Sequence, residues 1–336
     1  IKTMEFNMPK PPSDVLWQRK DIMLVAAGSG PCLRELYYRA VEQGKLQQLM
    51  FCHTTADDYT MGTAEEKITR VIKRAAAVHG VQVVVLYLNC LDILTRLDFD
   101  YLESSLSEAT GIMVRYFFRG PLGKMDIRHF KPVYEFMAEL PEEKGCISHN
   151  LYQLPPLATD VAGVIDTLPA NEAKVLVAPS GCRACLRDGD LLEQTQGVYV
   201  LETKKQDFIY GIEDNCVKQC SELMSDGKYK SLNLISSAVA AFIGFDGNWV
   251  ANSMENNLKT RSFNMDGFND AVYGVSCAQE LLVEEEQELY VKPAREILIL
   301  GYSPLLCGEK EQYAECFAYI RSLGYEPRFV GEKAGG

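Results

Sequence analysis

The sequence contains no run approaching the ~18–20 apolar residues needed to span a bilayer, so no helical membrane segment is expected. Its beginning, IKTMEFNMPKPPSDV, lacks the apolar core of a signal peptide. The first residue is Ile, as in a fragment or a processed product. Basic stripes and Lys/Arg clusters are also missing, and the net charge is −12; nucleic acid and anionic membranes are therefore not expected partners. The four histidines (53, 79, 129 and 149) are scattered, without HExxH or a close pair, and read as single core or surface residues. GSGPCLRE (28–35) is not a P-loop, because GK[ST] does not follow, and GxGxxG is absent. No bound nucleotide is expected, and any ATP-driven step falls to another protein.

What is present is an ordinary globular composition: 336 residues, 47% hydrophobic and 24% charged, long enough for two or three domains. Eleven cysteines, odd in number and irregularly spaced, do not form a secreted disulfide framework. A reducing cytoplasm, with some thiols buried and some binding metal, is the better expectation.

The order of elements points to an α/β fold. DIMLVAAGSGPCLRELYYRAVEQG (21–44) reads as strand, glycine loop and helix; QQLMFCHTT (47–55) is the next strand. Thr63-Ala-Glu-Glu66 has the form of a capping box, opening a helix with Ile68, Val71, Ile72, Ala75 and Ala76 on its apolar face. VQVVVLYLNC (81–90) and GIMVRYFF (111–118) are continuously apolar, as strands buried on both faces are. Rossmann-like parallel-sheet units in a three-layer αβα arrangement follow.

The chain then repeats. KVLVAPSGCRACLR (174–187) lies over DIMLVAAGSGPCLR (21–34), with Cys185 on Cys32 and Gly181 on Gly28; QDFIYG (206–211) then matches DDYTMG (57–62) after a four-residue shortening. YKSLNLISS follows as VQVVVLYLNC does, and GFDG (244–247) follows as LDFD (97–100) does. A duplicated unit arranged about a pseudo-two-fold is expected. The expected division is a first α/β unit over 1–150, a second over 151–290 and a C-terminal βαβ segment over 291–336. Residues 119–173 read as connector with partial helix, and EEEQE (284–288) as a solvated face or linker.

Ligands of open α/β sheets sit beyond the carboxyl ends of the strands. Cys32, Cys90, Cys182 and Cys185 all follow such ends, and facing copies would let these sulfurs converge on a [4Fe–4S] cluster. Gly28, Gly30 and Gly181 would let backbone amides approach its sulfides, and helix N-termini favour thiolates. Ser236 or Ser237 stands where Cys90 stands in the first copy, making the site asymmetric. Each thiol also has a plain alternative as a small buried apolar group. Structural zinc on Cys182, Cys185, Cys216 and Cys220 competes, although Cys216 and Cys220 are i, i+4 on a helix, as core residues are. A redox pair at Cys182/Cys185 is a further alternative, without thioredoxin-like surroundings. Cys146, Cys277, Cys307 and Cys316 read as structural, and Cys52 beside His53 as a spare candidate.

Taken together, LVAAGSGPC (24–32), HTTADDYTMG (53–62), AEEKITRVIKRA (64–75), LYLNC…LDFD (86–100) and TGIMVRYFFRG (110–120) resemble the component 1 family of nitrogenases. That family includes the dark-operative protochlorophyllide reductase and cluster-assembly scaffolds. VAPSGCRAC and LETKKQDFIYG give the second copy's version, and the match in order covers about two-thirds of the chain. By position, Cys32 and Cys90 look like cluster ligands of the first copy, and Cys185 like its counterpart in the second. The family's earliest cysteine is missing, since residues 1–20 and 151–173 contain none. That favours a four-iron over an eight-iron cluster. The family uses three α/β domains per subunit in paired subunits; this chain resembles two first domains fused, with no placeable ligands for a separate metal cofactor. The resemblance implies an electron-relaying reductase of an anaerobe. It would be served by a dimeric [4Fe–4S] ATPase like the nitrogenase reductase, with a homodimer or paralogous subunit as further partner. Alternatives are a non-catalytic assembly scaffold and a zinc-stabilised binding protein.

Overall fold

Seven consecutive buried residues, Ile22–Gly28, form strand β2, and six more, Val83–Leu88, form β4 beside it. With β3 (Leu49–His53) and β5 (Met113–Phe118) they make a parallel sheet in the order β3-β2-β4-β5. The alternation of side chains decides which layer each residue enters. Met23, Val25 and Ala27 pack against Ile68 and Ile72 of helix Ala64–Ala76 on one face. Ile22, Leu24 and Ala26 pack against Trp17, Leu33 and Leu36 on the other. Helices thus cover both faces, which is why the strands carry no polar stripe.

The computed structural model describes residues 2–3, 11–95, 97–125, 130–148, 153–180, 182, 197–254, 258–289 and 295–331. Gly181 and Cys185 lie outside the described residues. A second sheet has the order β1-β7-β6-β8-β9, from β1 (Lys2–Thr3), β6 (Ala173–Val177), β7 (Val198–Val200), β8 (Ser231–Ser236) and β9 (Lys259–Phe263). Only β1 runs antiparallel to its neighbour. β10 (Glu296–Ile299) and β11 (Glu326–Phe329) form a short parallel pair. The chain divides into two compact units: one of residues 5–157 and 181–184, the other of 1–4, 158–180 and 185–336. Among the described residues no helix is long and apolar enough to cross a membrane.

The two larger sheets repeat one plan. β3-β2-β4-β5 and β7-β6-β8-β9 have the same order, and their loops repeat the same hydrogen bonds. Thr55 N–H donates to Asp58 (2.8 Å) and Lys204 N–H to Asp207 (2.6 Å). Tyr101 N–H donates to the N-cap Asp98 (3.0 Å), Trp249 N–H to the N-cap Asp246 (2.9 Å).

This register corrects the overlay expected from sequence. Asn89 caps helix Cys90–Leu94 and Ser237 caps helix Ala238–Phe242. Ala238 therefore occupies the place of Cys90, and neither Ser236 nor Ser237 does. Met23 pairs with Val84 and Ala173 with Leu232, so the copies are offset by 150 residues between β2 and β6 and by 148 between β4 and β8, not 153. At the offset between β2 and β6 residue 182 is the counterpart of residue 32.

Other expectations change for local reasons. Thr63 precedes its helix without capping it, because its hydroxyl donates to Asp58 instead (2.9 Å). The capping box is formed by Thr55 and Asp58 on helix Ala56–Thr60. Residues 284–288 lie within helix Ala271–Leu289, where Glu285 receives Arg261 (2.8 Å) and pairs with Lys259. The connector contains helices Pro121–Met125 and Val133–Ala138, and also the buried helix Asp160–Thr167.

Both outer strands of the first sheet have their edge groups occupied by side chains. Gln153 accepts from Phe51 N–H (3.1 Å) and donates to Leu49 C=O (2.7 Å) along β3. Along β5, Ser107 accepts from Val114 N–H (2.9 Å) and Glu103 from Tyr116 N–H (3.2 Å).

Candidate functional site

The order β3-β2-β4-β5 reverses direction of travel between β2 and β4, and the crevice at such a switch is where α/β sheets bind ligands. Cys32 and Cys90 stand on its two sides. Cys32 is the third residue of helix Gly30–Glu42, after β2, and Cys90 the first of helix Cys90–Leu94, after β4. Cys182 belongs to the same compact unit, within residues 181–184. It acts electrostatically on both other sulfurs, opposing a negative charge on either. The structure thus brings Cys32, Cys90 and Cys182 into one neighbourhood.

Burial sets the chemistry of these thiols. It pushes Cys32 up to about 11 and Cys90 well above the usual thiol range. Opposing it are Arg119, which favours the thiolate at both, the Ser29 hydroxyl at Cys32 and the Leu122 backbone N–H at Cys90. Arg119 follows β5 and is fixed by two backbone carbonyls: Nη1 donates to Cys32 (2.7 Å) and Nη2 to Ala27 (3.1 Å). Its guanidinium lies over the Tyr87 ring, 5.2 Å from the centroid.

One buried donor beside the thiols, Arg119 Nε, lacks a partner, and the Ser29 hydroxyl meets only the Cys32 sulfur, at longer than ordinary hydrogen-bond range. Ser29 is the N-cap residue of helix Gly30–Glu42, yet its side chain makes no capping bond. Orphaned buried donors are uncommon and point to a missing acceptor.

The glycines serve close approach. Gly28 has φ +144°, and a Cβ there would strike the Asn89 amide. That amide donates to Ala27 C=O (3.0 Å), while its oxygen caps Leu91 N–H (2.7 Å). Gly120 has φ +84°, and a Cβ there would come 3.0 Å from Cys90 Sγ. At Gly30 a Cβ would meet only His53 Nε2 at 3.9 Å, an ordinary contact, so the described residues do not require glycine there.

Behind Cys90 lies a buried polar chain. Thr54 donates to Tyr59 (2.8 Å), Tyr59 to Asp92 (2.9 Å), and Asp92 also accepts from Asn89 N–H (2.8 Å). Burial raises the Asp92 carboxyl to about 6 against these bonds and Arg119. Arg119, Asn89, Tyr59 and Asp92 were not singled out from sequence; the one available signal was an Arg-Gly pair closing the aromatic strand MVRYFF.

The other cysteines fall elsewhere. Cys52 packs in the core with Met23, Val25 and Ile68 rather than in the crevice. Cys216 and Cys220 are sealed in the core of the second sheet, with sulfurs 3.9 Å apart. Cys146 and Cys316 are exposed, Cys277 and Cys307 partly so. Among the described residues no three His, Cys, Asp or Glu side chains gather closely enough to hold a single metal ion. Compared with models of known protein families, the chain matches none. Nor does any curated protein match it.

Proposed function

We propose that this chain is a nitrogenase-like iron–sulfur oxidoreductase component, taking electrons from an ATP-dependent [4Fe–4S] reductase and passing them to a substrate. The observation that carries the reading is the grouping of Cys32, Cys90 and Cys182 beside a fixed cation whose buried Nε–H has no partner. One tetrahedral zinc needs sulfurs about 4 Å apart, the span of two ~2.3 Å Zn–S bonds at the tetrahedral angle. Among the described residues Cys32, Cys90 and Cys182 do not gather closely enough for one metal ion, which weighs against zinc on these three alone.

The residues present fit such a group. Cys32, Cys90 and Cys182 would ligate; Cys185, the fourth sulfur expected from sequence, lies outside the described residues. When bound, the cluster supplies one-electron redox chemistry at a potential set by hydrogen bonds to sulfur, charge and burial. The chain's own part is to exclude water with the walls of the crevice, hold the sulfurs on two helix N-termini and place a positive charge beside them.

Anaerobic reconstitution with ferrous iron and sulfide tests the reading, followed by iron, sulfide and zinc analysis. About four irons per chain are expected, falling to background in Cys32→Ala and Cys90→Ala. Zinc binding without iron rejects it. ATP-dependent reduction by a nitrogenase reductase-type ATPase then separates reductase from scaffold; cluster loading without electron uptake leaves the scaffold.

A further inference from the structure

The cation in the crevice has a more specific task. Arg119 is held at three points: its backbone N–H donates to Leu88 C=O (2.8 Å), and its Nη groups donate to Cys32 and Ala27 C=O. The Tyr87 ring, itself buried, lies under the guanidinium, its centroid 5.2 Å away. A guanidinium is always charged and carries five N–H donors in a rigid fork. Both Nη groups are engaged on backbone, yet the buried Nε–H is bonded to nothing. The Ser29 hydroxyl has only the Cys32 sulfur to lean on. A structural clamp needs only the Nη contacts, so the Nε–H is left over.

Resting on the iron–sulfur reading, we infer that Arg119 is a positioning residue of the sulfur site: it clamps the Cys32 loop through Nη and gives its Nε–H, with the Ser29 hydroxyl, to sulfur of the bound group. A cation and a donor at sulfur stabilise the more negative, reduced form, so their removal lowers the potential. In the second copy Met265 stands where Arg119 stands and Ala238 where Cys90 does.

Arg119→Met and Arg119→Lys test the inference in the full chain. After reconstitution with iron and sulfide, a spectroscopic redox titration reads the potential. In Arg119→Met the reduced-to-oxidised ratio at a fixed poise is expected to fall at least tenfold, equivalent to about 59 mV for a one-electron couple. Arg119→Lys keeps the charge but loses the fork and Nε–H, and is expected to fall in the same direction by less. Ser29→Ala removes the second donor and is expected to shift the same way. Wild-type potential in both Arg119 variants overturns the inference. If Arg119→Met does not fold, Arg119→Lys and Ser29→Ala decide, and no shift in either overturns it.

Iron-free protein distinguishes failure of the inference from failure of the underlying reading. Clamping is read there as the alkylation rate of Cys32, resolved by peptide mass spectrometry, and it should rise several-fold in Arg119→Lys, which keeps the charge that favours the thiolate but loses the two-point hold. Wild-type protein that takes up no iron sinks the function whatever the alkylation rates show. Iron uptake with unchanged alkylation and potential in the variants sinks only the inference.

Discussion

In the first sheet β4 runs into an asparagine-capped helix whose first residue is Cys90; in the second, β8 runs into a serine-capped helix whose first residue is Ala238. After β5 comes Arg119, buried in part and bound to Cys32; the equivalent position after β9 is Met265. Strand order and loop hydrogen bonds are shared, so the scaffold does not depend on the chemistry of its strand ends. Reactive groups gather on one copy, and Cys182, residue 150 positions beyond Cys32, belongs to that copy's compact unit. Duplication supplied two identical frames, and only one carries the thiol-and-cation set.

The comparison can be broken most strongly at a shared arginine. Arg115 on β5 and Arg261 on β9 occupy the same rung, and each spans two glutamates. Arg261 is 5% exposed and its partners Glu172 and Glu285 are largely covered, whereas Arg115 is 32% exposed. Arg261→Met leaves Glu172 without its cation, while Glu285 keeps Lys259, and is expected to cost about 3 kcal/mol, the low end for breaking a buried pair. Arg115→Met should cost about 1 kcal/mol or less. Denaturant unfolding measures both; equal losses would mean the two edges are not built differently.

Next in size is a difference in pH response. Burial raises Asp160, beside helix Ala271–Leu289, to about 7 despite N–H donors from Val161 and Gly267, with Asp266 adding to the rise. Its folded form holds the proton more tightly than the unfolded chain does. Its contribution is therefore full below the ordinary carboxylate range and disappears as pH rises toward about 7. Asp58 runs the other way. Burial alone would raise it, but bonds from Lys67, Thr55 and Thr63 together bring it well below the usual range. Its contribution persists to strongly acid pH and is lost only below that range. Melting midpoints across pH should lose part of the slope between about pH 4 and 7 in Asp160→Asn, Asp92, raised to about 6, keeping the rest. Asp58→Asn should leave that slope intact.

Smaller still is Gly120→Ala, expected to cost about 1–3 kcal/mol because φ is positive and the new methyl presses on Cys90 Sγ. Altered Cys90 alkylation at near-native stability would show that the glycine keeps space for the sulfur. The smallest effect is at the exposed Arg70–Glu66 pair, where Arg70→Ala should change stability by less than about 0.5 kcal/mol. Unfolding titration checks it.

The frame was legible because strands buried on both faces are written as unbroken apolar runs, such as MLVAA and VVVLYL. Cys32 and Cys90 were visible because each follows the end of such a run, Cys32 after the glycine loop and Cys90 after a single asparagine. The repeat offset was misjudged by three residues because the overlay followed matching Gly, Cys, Leu and Arg letters, whereas register is decided by backbone pairing. Thr63 illustrates a different loss. Its S/T-x-x-E spacing is correct for a cap, yet the carboxylate of Asp58, distant by five positions, takes the hydroxyl. Arg119 was opaque for a third reason: a solitary arginine after an aromatic strand looks like any surface cation until the fold shows which carbonyls it reaches.

The amide and hydroxyl plugs on β3 and β5 carry a consequence for assembly. An incoming strand would find Phe51, Leu49, Val114 and Tyr116 already satisfied, with no ladder to extend on either flank of that sheet. Any companion of this half of the chain must recognise it by its loops and helices, through side chains, and never by lengthening its sheet.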